Sequence, residues 1–143
     1  MKNIILVFAI ACSLSANSQT VVKGPVKIAM DKKMYSNEME FLRYPDHYTF
    51  LYRNAEYSRI HDFKSISFEQ DELKPVQQAF LQAATMKQED HVNYGEFNIS
   101  KIKVLGKNYY IVTKDDSTWR LSDGDYKDLM SAINKELSSV AKK

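Results

Sequence analysis

The stretch Leu121–Ile133, LSDGDYKDLMSAI, carries the strongest local signal in the chain. Ser122 is a good helix N-cap, and Asp125 three residues later completes a capping-box pattern with Asp in place of Glu. From Tyr126 onward, Leu129, Met130, Ile133, Leu137 and Val140 recur at three- and four-residue steps. That spacing predicts a helix over 124–140 with one apolar stripe, its first turn acidic as the helix dipole favours. A single stripe requires a flat apolar partner, and the residues upstream supply one.

Immediately before this helix, Tyr109–Thr113 and Thr118–Leu121 read as strands around the turn Asp115-Asp116-Ser117. Leu105-Gly106-Lys107-Asn108 reads as another turn. Phe97 and Ile99 share one parity while Ile102 and Val104 share the other, which predicts a bulge or a turn at Ser100-Lys101. Glu89-Asp90-His91 and Asn93-Tyr94-Gly95 read as polar turn chemistry. A second amphipathic helix runs from Leu73 to about Gln88, with Pro75 in its first turn, where the missing N–H costs nothing. Further upstream, Phe63–Phe68 and His47–Arg53 read as strands, preceded by Met39–Tyr44. Val21–Met30 reads as an edge strand, because Pro25 cannot donate to a ladder. The sum is an α+β fold: an antiparallel sheet of about five to seven strands with two amphipathic helices packed on one face, in the order βββ-α-βββ-α. No internal repeat is visible in the sequence.

The N-terminus reads as an export signal. Met1-Lys2-Asn3 precedes an apolar run from Ile4 to Cys12, and small residues follow at Ala16 and Ser18. This run is too short to span a bilayer, which takes roughly 20 apolar residues. Residues 1–18 are therefore expected to be a signal peptide, cut between Ser18 and Gln19, with residues 19–143 forming one domain. The competing expectation is acylation at Cys12, since Ala9-Ile10-Ala11-Cys12 resembles a bacterial lipobox without its usual leucine. Cleavage at Ser18 removes the only cysteine, leaving a thiol-free domain that fits a bacterial envelope, periplasmic or extracellular.

Composition narrows the chemistry. The chain is 44% hydrophobic and 27% charged, ordinary for a folded protein, and its formal charge is +2. Such a balance excludes the basic surplus that nucleic-acid binding needs. The mild basic stretch at Lys23, Lys27, Lys32 and Lys33 reads as a solvated edge. Gly24, Gly95, Gly106 and Gly124 are too scattered for a phosphate loop, so no nucleotide cofactor is expected. His47, His61 and His91 lack metal-ligand spacing, and no metal is expected. No Gly-x-Ser-x-Gly is present. Glu56-Tyr57-Ser58 lacks the lysine of a nuclease carboxylate motif, and Asp115-Asp116 and Asp123/Asp125 suit turn and N-cap roles. No catalytic residue is assigned.

Aromatic density between Tyr35 and Phe68 is the most distinctive feature. Tyr48, Phe50 and Tyr52 alternate on one strand and so project to one face. If that face is the one the helices leave open, Tyr44, Tyr48, Tyr52 and Tyr57 form a binding surface for another envelope protein, a peptide or a glycan. The expected function is thus a small exported, non-enzymatic binding or accessory domain. The alternatives are a small secreted hydrolase using Asp, Glu and His, and an inhibitor-like protein presenting turns such as Asp115–Ser117. Membrane contact is expected only through a lipidated Cys12. Intact mass of the exported protein should place its first residue at Gln19; a diacylglycerol adduct on Cys12 would replace secretion with anchoring.

Overall fold

The computed structural model describes residues 24–30, 39–57, 62–88 and 90–142. The expected signal peptide (residues 1–18), with Cys12 in it, and Lys23, Lys32, Lys33, Tyr35 and His61 lie outside them. Strands β1 (Val26–Met30), β2 (Met39–Arg43), β3 (His47–Arg53) and β4 (Phe63–Glu69) form one antiparallel meander, which a 3-10 turn (Gln70–Glu72) joins to helix α1 (Leu73–Thr85). Strands β5 (His91–Tyr94), β6 (Phe97–Val104), β7 (Lys107–Lys114) and β8 (Ser117–Ser122) form a second meander, followed directly by helix α2 (Asp123–Val140).

The α+β class and antiparallel pairing stand, whereas the single sheet does not: eight strands divide into two four-stranded sheets. The reason lies in the inner faces. Tyr52 of the first sheet stacks on Trp119 of the second at 5.3 Å and 16°, and Phe50 lies 5.5 Å from the same ring. Rings from both sheets thus meet in one shared core.

Both helices lie on the inner face of the second sheet. α1 packs along β5 and β6, and α2 along β7 and β8, from which it also reaches β1. The Lys101 ammonium donates to the Ala84 carbonyl at the C-terminal end of α1 (2.8 Å), where a cation suits the helix dipole. The Tyr126 hydroxyl on α2 donates to the Phe80 carbonyl on α1 (3.1 Å).

Each half repeats the same scheme: a meander whose last strand feeds a capped helix. At one constant offset, buried Ile66, Phe68, Leu73, Val76 and Phe80 match buried Trp119, Leu121, Tyr126, Leu129 and Ile133. Reciprocal capping occupies equivalent positions, Glu69 with Glu72 and Ser122 with Asp125. The Ser122 hydroxyl accepts from the Asp125 amide (3.2 Å), and Asp125 accepts from the Ser122 amide (3.1 Å). The repeat is one of burial and capping, and it leaves almost no trace in residue identity.

Two local expectations are corrected. His91–Tyr94 is a strand rather than a polar turn, its Val92 buried and its His91 and Asn93 exposed. A four-residue alternation with histidine and asparagine outside imitates a loop. β6 has neither bulge nor turn at Ser100-Lys101, since Asn98 to Val104 pair one for one with Thr113 to Lys107. The apparent phase slip arises because Ile102 and Val104 lie on the outer face, at the end of β6 that runs beyond its pairing with β5.

Trp119 is fully buried, and its indole N–H has no acceptor among the described residues. Trp119→Ala is therefore expected to destabilise by about 3–5 kcal/mol through lost transfer energy and a cavity. Trp119→Phe should cost clearly less, because it also removes an unsatisfied donor. Urea denaturation of the two variants compares these costs.

Candidate functional site

The four tyrosines do not form one surface. Tyr48 and Tyr52 are 2% and 0% exposed and point into the core. Their strand register explains this burial. Tyr48, Phe50 and Tyr52 pair with Phe68, Ile66 and Lys64 on one side, and with Arg43, Phe41 and Met39 on the other. The alternate positions carry Thr49, Leu51, Ser65 and Ser67, and the Thr49 and Ser67 hydroxyls are hydrogen-bonded at 2.9 Å. The aromatic face is thus the inner one. Tyr44 and Tyr57 flank opposite ends of β3, which at about 3.3 Å per residue sets them roughly 20 Å or more apart. Tyr44 stacks on His47 at 4.4 Å and 7°, and Tyr57 is 48% exposed.

The buried hydroxyls have structural work. The Tyr48 hydroxyl donates to Glu136 Oε1 (3.0 Å), which also takes Arg43 Nη1 at 2.5 Å, tying β2 and β3 to α2. Glu136 is buried at a helix position whose counterpart in α1 is Ala83, so a charge stands where the repeat has a methyl group. Such a charge is tolerable inside only when paired and hydrogen-bonded, as it is here. Burial, reinforced by the Glu136 hydrogen bond, pushes the Tyr48 phenol up to about 12. Tyr52 shares a 2.7 Å hydrogen bond with Ser117, whose hydroxyl donates to the Lys114 carbonyl (2.8 Å).

That contact marks the seam between the sheets. Nearby, the Ala55 amide donates to the Thr118 carbonyl (2.7 Å), and the Asn54 side chain accepts from the amides of Glu56 and Thr118. Beside the seam lies an open cleft of about 340 Å³, lined by Leu51, Phe63, Lys64 and Ser65 of the first sheet and by Lys114, Asp115, Asp116 and Ser117 of the second. Phe63 is 43% exposed there. Asp115 adopts φ 51°, a left-handed conformation that aspartate tolerates in tight turns. Lys114 pairs with Glu96 at 2.7 Å, and Lys64 lies 3.8 Å from Asp62. The sequence singled out the Asp115–Ser117 turn but missed Phe63, Lys64 and Leu51. These join the turn only through the seam.

A second shallow depression is lined by Asp46, His47, Ser67, Phe68, Glu69 and Glu72. Its polar groups already have partners. His47 Nδ1 lies 2.6 Å from Asp46, which holds the Asp46 carboxyl below its usual range. Glu72 caps the Glu69 amide and accepts from the Tyr94 hydroxyl (3.3 Å). His91 is exposed on β5, and no three histidine, cysteine or acidic side chains converge on a metal position among the described residues. Comparison with protein-family models, with curated proteins and with solved structures returns no match.

The buried phenols set a pH dependence. Burial pushes Tyr126 up to about 12, as it does Tyr48, and raises Tyr52 and Tyr110 as well. In the unfolded chain these groups ionise near pH 10. Between about pH 10 and about 12 the folded state holds protons that the unfolded state has lost, so stability present below pH 10 falls through that window. Denaturation midpoints measured across this range should decline, and Tyr48→Phe with Tyr126→Phe should flatten the decline.

Proposed function

We propose that this chain is a small exported domain of a bacterial envelope that binds a partner without transforming it, using the seam cleft as its contact surface. The observation that carries this reading is the half-exposed Phe63 ring set beside Asp115, Asp116, Lys64 and Lys114 in an open cleft. An aromatic face offers stacking area to a saccharide ring or an extended peptide, while carboxylates and ammonium groups around it fix orientation. Tyr57, exposed at the end of β3, adds a second ring on the surface. Catalysis asks for a nucleophile or acid–base pair held in position. In the cleft the Ser117 hydroxyl is engaged by Tyr52 and Lys114, and Asp115 and Asp116 stand on a solvent-exposed turn.

The test is an amide chemical-shift titration of the exported protein with cell-wall saccharide fragments and, separately, with peptides. Shifts should concentrate at Leu51, 63–65 and 114–117. Phe63→Ala should weaken binding about tenfold or more while its melting temperature stays within about 3 °C. Turnover of an added ester, phosphoester or glycoside that is lost on Asp115→Asn or Asp116→Asn would replace this reading with the hydrolase alternative.

A further inference from the structure

The β6–β7 hairpin ends in a turn whose chemistry its own fold does not require. Val104 pairs with Lys107, so Leu105 and Gly106 form a two-residue loop with φ of 50° and 79°. Paired positive φ values belong to asparagine, aspartate and glycine, because in the left-handed region a Cβ crowds the following carbonyl oxygen. Leu105 is nevertheless 97% exposed, so no burial among the described residues compensates that strain.

The tip stands clear of its sheet. β5 pairs with β6 no further than Ser100, and β8 pairs with β7 no further than Tyr109. Residues 103–108 are therefore a bare two-stranded ribbon. Its outer face carries Val104, 39% exposed, with Ile102 below it. Tyr109 lies across from Ile102, and the Arg120 guanidinium sits 4.4 Å over the Tyr109 ring. From Phe97 to Lys114 the chain contains Lys101, Lys103, Lys107 and Lys114 and no aspartate or glutamate. Lys101 is bound to α1 and Lys114 to Glu96, whereas Lys103 and Lys107 are exposed and form no ion pair among the described residues.

We propose that this tip is a membrane-contact element: Leu105 and Val104 enter the headgroup–acyl boundary of an anionic bilayer while Lys103 and Lys107 meet lipid phosphates. Tyr109 and Arg120 then lie at headgroup depth, where an amphipathic ring and a weakly hydrated cation are favoured. Two observations favour a bilayer over a protein. A convex tip this narrow falls well short of the roughly 800 Å² per partner of a stable protein interface, and a fluid bilayer needs no complementary pocket. Lys103 and Lys107, which form no ion pair among the described residues, favour an anionic surface. Two aliphatic side chains make a marginal anchor, so the contact orients the domain, and stable attachment takes a second signal. The sequence offered membrane contact only through Cys12; the hairpin is a separate route, and it is independent of the seam cleft.

Flotation of the exported protein, its N-terminus fixed by intact mass, with phosphatidylcholine vesicles and with vesicles containing phosphatidylglycerol tests this. Variants are compared in the same processed form, so any contribution of the N-terminus is common to all. Binding should favour the anionic vesicles and fall in about 0.5 M salt. Leu105→Asn should lower it roughly fivefold or more, with the melting temperature unchanged or raised, because Asn suits the turn. Lys103→Glu with Lys107→Glu should lower it comparably, and Phe63→Ala should leave it unchanged. The proposal is overturned by vesicle binding that ignores both tip changes, by no binding to anionic vesicles, or by Leu105-dependent crosslinking to an envelope protein without vesicle affinity.

Discussion

The packing of Trp119 is the constraint on which the rest of the molecule depends. Its indole lies against Tyr52 and Phe50 of the first sheet and edge-on to Phe80 of α1, with Tyr126 of α2 beyond Phe80 at 6.4 Å. One side chain thus joins both sheets and the first helix. Two four-stranded sheets with only two helices between them have more apolar face than the helices alone can cover. Turning the sheets toward each other at this ring resolves the shortage. It also brings the β3 aromatics inside.

Polar groups fix how those layers meet. Glu136 with Arg43 and Tyr48 holds the first sheet to α2, while Asn54, Ser117 and Tyr52 hold it to the second sheet. The Glu136–Arg43 pair is costly to break, because Glu136 is buried while Arg43 is partly exposed, and losing Arg43 would leave a buried carboxylate without its cation. Reciprocal caps start both helical segments, sparing the amide groups that a helix start would otherwise leave unpaired. Beside these committed groups, the described surface carries the exposed Phe63 ring at the seam cleft and the apolar hairpin tip. They differ in chemistry, one an aromatic ring among charges of both signs, the other aliphatic and ringed by lysine. They are therefore separate surfaces.

Both helices and most strands were legible in the sequence because their signals are local. Periodicity, the capping box at Ser122 and the turn at Leu105-Gly106 involve residues only a few positions apart. β5 was missed because four residues give too short an alternation. The break read into β6 reflected a true change of exposed face, whose cause is how far β5 extends. The aromatic alternation of β3 was also read correctly as one-sided; what it could not convey was which side. That depends on Phe41 and Phe68 in neighbouring strands, and on Trp119 far along the chain. The site was less legible still: the Asp115–Ser117 turn drew notice, but Phe63 reaches it only across the seam.

The sequence by itself determined the α+β composition of the protein, the two one-sided helices, the tight hairpins and the near-neutral charge, since each follows from spacing or composition along the chain. Only the tertiary structure decided that there are two sheets, that Tyr48 and Tyr52 lie inside, and that Leu105 stands alone in solvent. The physical reason is common to all three. Burial is a property of what packs against a side chain, and here the packing partners lie in other strands and helices, many of them across the whole domain.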